Sequence, residues 1–261
     1  MIPKDVQAML DEYKEQVQTS LPDLITGFYL HGSLALNAFN PGLSDVDFIA
    51  VVSHRLTESD LACLTRIHDT LADKYPNAPL QGSYLQVTDL GKFPHQVEPT
   101  PYYSDGVLSP AGYHDLNSIT WWLLKHGGIT LFGTQAESLP FSVDWQLLLA
   151  NTKANLNNYW GTYITRPAHI AWLFSDYGIQ WVVLGVLRQW YTFEKNSITS
   201  KVEAGEYALK QLPARWHKII QEALGIRYTK PSLYRWRLLR TIEAWLFLRF
   251  IINYCNANYR F

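Results

Sequence analysis

The stretch GFYLHGSLALNAFNPGLSDVDFIAVV, Gly27–Val52, decides the fold. It joins a Gly32-Ser33 turn to two carboxylates, Asp45 and Asp47, that alternate along an apolar run. Successive side chains of a β-strand point to opposite faces, so Asp45 and Asp47 project from one face. Val46 and Phe48 to Val52 make the rest of the run read as a buried strand. Two like charges side by side there are unfavourable unless something cationic sits between them. Mg2+, which takes one or two carboxylates plus substrate phosphates, suits such a pair. Gly32 allows positive φ and close approach of backbone to a ligand. Leu34 to Ala38 reads as the start of a helix, whose free N–H groups attract phosphate. Ser33 adds a hydroxyl donor, and Ser44 either contacts phosphate or caps the turn. A Gly-Ser turn or an Asp-x-Asp strand alone says little. Joined between apolar strands, they place phosphate on one side and metal on the other.

This combination resembles the nucleotidyltransferase superfamily that includes DNA polymerase β. A second stretch narrows the resemblance. WVVLGVLRQWYTFEKNSITSKVEAGEYALKQLP, Trp181–Pro213, is similar to the C-terminal helical region of the streptomycin/spectinomycin adenylyltransferases. There an Arg precedes Trp-Tyr, and a Ser/Pro-Lys precedes an Ala-rich segment ending in Leu-Pro. The resemblance covers nearly the whole chain.

A chain of 261 residues can bury a sizeable core, as one large domain or two smaller ones. A formal net charge of −1 argues against a general nucleic-acid binder. Cys63 and Cys255 imply no disulfide framework, and a reducing compartment is the natural reading. Residues 2–18, charged throughout, read as an amphipathic helix rather than a leader. No uncharged run reaches transmembrane length. The expectation is a cytoplasmic protein with no nucleic-acid or membrane partner, and a monomer. Ten Trp and sixteen Tyr suit an aromatic core, or a cleft that stacks an adenine or a sugar face.

Strand and helix signals alternate over the first half. Helical spacing predicts helices at 3–17 and 57–74, the latter with Thr57 and Asp60 as its cap. Strands are expected at 25–30, 48–52, 84–87 and 129–132, a helix at 114–125, and a long irregular loop at 91–110. From Ser142 onward helical stripes take over, at 143–160, 177–194, 201–211, 214–224 and 232–257. The expected architecture is an α/β nucleotidyltransferase domain, a mixed sheet with helices, over 1–160. An all-α helical-bundle domain follows over 161–261, with the small-molecule site in the cleft between them.

Nucleotidyl transfer must hold a triphosphate, neutralise its developing charge and aim a hydroxyl at the α-phosphorus. Two metals do much of this in many enzymes. Asp45 and Asp47 are the natural bridge to Mg2+, with ATP as co-substrate, and Gly32, Ser33 and Ser44 hold phosphate. The resemblance implies that Arg188 and Lys201 hold the triphosphate. An unpaired guanidinium in the apolar run around Arg188 would be costly. A Lys at a helix start, as at Lys201, opposes the helix dipole, so an anion or nearby Glu203 compensates it.

The family carries a Glu, as base for the acceptor hydroxyl, in a Leu-Glu-Val-Thr-like strand. The matching strand here is read as Tyr84-Leu85-Gln86-Val87-Thr88, with Gln86 at the base position. An amide cannot take that proton. Three outcomes stay open: Asp89 serves as base, transfer proceeds without one, or the chain binds nucleotide without transferring it. Asp176, near the family's substrate-binding Asp, and Asp105, Asp115, Trp121 and Trp122 are candidates to line the acceptor pocket. His31 is either packed or phosphate-adjacent. The leading expectation is transfer of AMP to a hydroxyl of an aminoglycoside or aminocyclitol antibiotic, with release of pyrophosphate. The rivals are the same fold with another acceptor and a binder without turnover.

Overall fold

Val6, Met9, Leu10, Tyr13 and Val17 recur at helical spacing, and they form the buried side of the first helix, α1 (Lys4–Ser20). In the computed structural model, which describes residues 2–261, the chain forms two compact units, Met1–Val143 and Asp144–Phe261. In the first unit α1 is followed by β1 (Ile25–Leu30), a single helical turn α2 (Gly32–Ala35), β2 (Val46–Val52) and α3 (Glu58–Lys74). Next come β3 (Leu80–Gln86), β4 (Thr100–Ser104), β5 (Val107–Gly112), α4 (Ser118–Gly127) and β6 (Ile129–Phe132). Thr57 and Asp60 cap α3 reciprocally, as the sequence predicts.

The six strands form one mixed sheet in the order β5-β4-β3-β2-β1-β6, parallel only between β2 and β3. The two faces divide along β2. Val46, Phe48, Ala50 and Val52 join the core that holds the buried side chains of α1 and α3. Ile49 and Val51 face Trp121 and Leu124 of α4. Asp47 therefore belongs to the α4 face.

Two expectations are corrected here. The segment 91–110 is not one irregular loop, because it contains the β4–β5 hairpin. Its turn is Asp105-Gly106, both at positive φ (52° and 77°), a sequence and geometry that match the strand twist of a tight hairpin. Strand β3 starts at Leu80 and ends at Gln86, four residues ahead of the expected start. Its apolar signal is diluted by Gln81, Gly82 and Ser83. That shift moves every assignment made along β3.

The second unit is helical: α5 (Trp145–Asn155), α6 (Thr162–Thr165), α7 (Pro167–Trp172), α8 (Asp176–Lys195), α9 (Lys201–Gln211), α10 (His217–Arg227) and α11 (Arg237–Asn258). A π turn, Leu156–Trp160, links α5 to α6. Leu149, Leu156 and Trp160 pack with α8, so the helical unit takes in the chain from Asp144 on. Helix α8 is its axis. Ile179, Val182, Val183, Leu184, Val186 and Leu187 are wholly buried, with α9, α10 and α11 against it. Among the described residues no helix is long and apolar enough to cross a membrane.

Candidate active site

The strand registers build the site on the α4 face of the sheet. The backbone N–H of His31, just past β1, donates to the Asp47 carbonyl at 3.0 Å. Asp47 on β2 stands opposite Gln81 on β3. His31, Asp47 and Gln81 thus form a row across three strands at one end of the sheet. Asp45 lies one residue outside β2 and is exposed, whereas Asp47 is half-buried.

The Gly-Ser turn closes over this row. Gly32 has φ +59°, and a Cβ placed on it would lie 1.8 Å from Asp47 Oδ2. Only a glycine lets the turn rest on that carboxylate. Helix α2 is one turn long, shorter than the run from Leu34 to Ala38 suggests, so its dipole is small. The donors this turn presents are the first backbone N–H groups, which no side chain caps, and Ser33. Ser33 Oγ is buried without a hydrogen-bond partner. A buried polar group left unpaired is costly, and a phosphate oxygen would satisfy it. Ser44 instead accepts from the Asn40 backbone N–H at 3.1 Å, and so braces the 40–44 turn.

A donor set of two carboxylates beside a polar turn fits Mg2+, which completes its shell with water and phosphate. Among the described residues no group of three or more His, Cys, Asp or Glu side chains is arranged to hold a metal by itself.

Residues 113–117 cross the α4 face near the row. Ser83 Oγ donates to the His114 carbonyl at 2.8 Å, and the His114 ring stacks on Tyr102 at 5.3 Å. His114 Nε2 is 3.3 Å from Asp115 Oδ2, close enough to pair in charge but off the line of a good hydrogen bond. Burial pulls the His114 imidazole down, but Asp115, Asp47 and Asp105 outweigh it and raise its pKa. Burial likewise acts to raise Asp115, and His114 and His31 outweigh it, leaving that carboxyl below its usual range. His31 is buried, and burial lowers its pKa.

Three expected site residues of the first unit lie away from this row, and Asp176 is tied into the second unit. Gln86 pairs with Val52, five residues along β2 from Asp47 and so about 17 Å away at strand rise. The position beside Asp47 belongs to Gln81, so the residue facing the metal pair is again an amide. Asp89 is buried at the other end of β3. It accepts the Gln86 backbone N–H at 3.0 Å and pairs with Arg55 at 3.3 Å, which makes it a turn cap rather than a base. Trp121 is 1% exposed, and its indole N–H donates to the Lys92 carbonyl, so it is core and lines no pocket. Asp176 sits in the first turn of α8 and is bound to Arg240 at 2.6 Å.

In the second unit, Arg188 Nε donates to the Thr199 carbonyl at 3.0 Å, tying the turn before α9 to α8. Lys201 opens α9 with its ammonium 4.4 Å from the Trp181 ring. Residue reading missed His31, Gln81 and Asp115 as one constellation; only the register of β3 brings them together.

The turn, the Asp-x-Asp strand and the mixed sheet define a nucleotidyltransferase domain, and the model of that domain matches residues 10–98. The model of the aminoglycoside adenylyltransferase C-terminal domain matches residues 170–244. A spectinomycin 9-adenylyltransferase of Campylobacter jejuni is 24% identical over 234 residues, 82% of this chain and 85% of that protein. One of Staphylococcus aureus is 28% identical over 206 residues, 72% of each chain. The crystal structure of the spectinomycin adenyltransferase AAD(9) from Enterococcus faecialis, with ATP and spectinomycin, shares the fold. It has a TM-score of 0.69 at 18% identity over 95% of this chain and 98% of that one. The chain belongs to the aminoglycoside adenylyltransferase family of nucleotidyltransferases.

Proposed function

We propose that this chain transfers AMP from ATP to a hydroxyl of an aminocyclitol of the spectinomycin type, with Mg2+ bound and pyrophosphate released. The observation that carries the reading is the Gly32 turn seated on Asp47, in a chain whose two parts match the two domains of such enzymes. The spectinomycin adenylyltransferases among its relatives support the acceptor class.

Asp45 and Asp47 would hold Mg2+, which when bound supplies charge neutralisation at the reacting phosphate. Ser33 Oγ and the first N–H groups of α2 orient phosphate oxygens. Gly32 keeps Asp47 against that turn, and Ser44 holds the loop that leads into the strand. Arg188 and Lys201 are the cations proposed for the triphosphate. Asp89 and Trp121 are given no part in this chemistry, because Asp89 caps a turn and Trp121 is core. Gln86 is given none either, because it stands at the other end of β3 from the position opposite Asp47. Asp176 is proposed as structural, through Arg240.

The test is pyrophosphate release from ATP and Mg2+ with spectinomycin, streptomycin and other aminoglycosides, run beside Asp47→Asn. Release with one drug and none from the variant is expected. An active Asp47→Asn protein would remove the metal assignment. ATP binding without release for any drug would move the reading to another acceptor or to a binder.

A further inference from the structure

Nucleotidyl transfer to an alcohol leaves one proton to be taken up, and the residue that β3 sets opposite Asp47 cannot take it. Gln81 is an amide, and its Nε2 donates to Ser104 Oγ at 3.0 Å. Asp45 and Asp47 are assigned to the metal. Apart from Asp47, the acids whose charges act on His114 are, among the described residues, Asp105 and Asp115.

Both have left-handed backbone, at φ +52° and +56°. For Asp105 the tight hairpin accounts for that conformation, and its side chain is exposed at the hairpin tip. Asp115 is in no hairpin. It is held there by its surroundings: Asn117 N–H on its carbonyl at 2.9 Å, His114 anchored through Ser83, and Leu116 buried against the sheet. A non-glycine residue kept in this region by its neighbours is the kind of strain that collects at functional sites. His31 supplies the second observation. It is 3% exposed, its Nε2 has no partner, and it lies within electrostatic reach of Asp115. A buried ring nitrogen without a partner, next to the Gly-Ser turn, marks polar space prepared for a ligand.

We propose that Asp115 is the catalytic carboxylate that takes the acceptor's proton, with His114 beside it at 3.3 Å. The proposal rests on the adenylyl-transfer reading above. In the step, the acceptor O–H bond breaks and its proton passes to an Asp115 carboxylate oxygen. The acceptor oxygen bonds to the α-phosphorus. The bond from that phosphorus to the oxygen bridging to the β-phosphate breaks, and pyrophosphate leaves with the electron pair.

The experiment compares wild type, Asp115→Asn and the double variant Asp115→Asn with Gln81→Glu, on ATP and the accepted drug. Asp115→Asn is expected to lower kcat by roughly 10²–10⁴, the usual worth of a general base, with KM for ATP little changed. Gln81→Glu in that background puts a carboxylate opposite Asp47 and is expected to restore at least about tenfold of the loss. A purely structural Asp115 would not respond to a carboxylate on another strand. Asp115→Asn with wild-type kcat overturns the proposal. So does a loss of kcat that Gln81→Glu does not relieve, or one that tracks a fall in melting temperature and ATP affinity. A wild-type chain that transfers to no acceptor removes the adenylyl-transfer reading and this one with it; the other failures remove this one alone.

Discussion

Gly32 and Asp47 are packed so closely that a methyl group on Gly32 would lie 1.8 Å from Asp47 Oδ2 and 2.6 Å from its Cγ. Gly32→Ala must therefore displace the carboxylate, open the turn, or both. The backbone at φ +59° adds about 1–2 kcal/mol for an L-residue. A shift near 1 Å in a positioned group can cost about a hundredfold in rate. Gly32→Ala is expected to lose pyrophosphate release by about that factor or more, with a modest fall in melting temperature. Near-wild-type turnover would show that Asp47 is not held by this contact.

Ser33 makes the opposite case. Its Oγ is buried without a partner, so Ser33→Ala removes no hydrogen bond from the ligand-free protein and relieves an unsatisfied group. Thermal stability should be unchanged or slightly raised. ATP binding should weaken by about 1.5–3 kcal/mol if the hydroxyl serves a charged phosphate oxygen. Calorimetric titration with ATP and a melting curve on the same sample read both. Unaltered ATP affinity would mean that the hydroxyl faces no phosphate.

The parts legible in the sequence were those whose signal is local. Strands 25–30 and 129–132 match residue for residue, because each is an apolar run bounded by turns. Gly32-Ser33 and Asp45/Asp47 could be paired because few residues separate them. The base position depended on where β3 begins, and Gln81-Gly82-Ser83 hide a strand that is buried through its neighbours rather than by its own hydrophobicity. The hairpin signal Asp105-Gly106 was present but masked by the prolines around it. The pairing of Asp176 with Arg240 was hidden because 64 residues separate them. His31, Gln81 and Asp115 meet only through sheet order, which no local pattern states.

Arg240 gathers the helical unit. It is 3% exposed at its side chain and reaches Glu222 at 3.1 Å, Asp176 at 2.6 Å and the Phe174 carbonyl at 3.0 Å. Glu222, 1% exposed at its side chain, also accepts from the Leu233 backbone N–H at 2.7 Å and from Ser232 Oγ at 2.6 Å. Breaking a buried pair from one side strands the other charge and costs about 3–5 kcal/mol. Glu222→Gln should lower stability toward that range, measured by urea denaturation. Asp176→Asn should cost far less, because that carboxylate is 59% exposed and water replaces it. Equal losses from the two variants would contradict this ranking.

His68 makes the first unit sensitive to acid. It is 1% exposed, its Nε2 is 2.7 Å from Tyr84 Oη, and its ring stacks on Tyr103 at 3.8 Å. Burial in that apolar setting pushes its pKa down from 6.5 to about 3. The folded chain keeps the imidazole neutral, whereas the unfolded chain takes a proton below pH 6.5. Between pH 6.5 and about 3 the unfolded state therefore binds more protons, and stability falls as pH falls. Each pH unit in that window costs up to about 1.4 kcal/mol, so the full shift amounts to about 5 kcal/mol. His68→Phe keeps an aromatic ring beside Tyr103 but cannot titrate. At pH 8 it should be less stable than wild type by about 1–2 kcal/mol, through loss of the Tyr84 hydrogen bond. The wild-type penalty overtakes that loss on acidification, so the order should reverse near pH 5 and the variant should be the more stable at pH 4. Denaturation midpoints of the two proteins from pH 8 to pH 4 test this. Parallel curves across that range would show that His68 is not the group through which acid unfolds the domain.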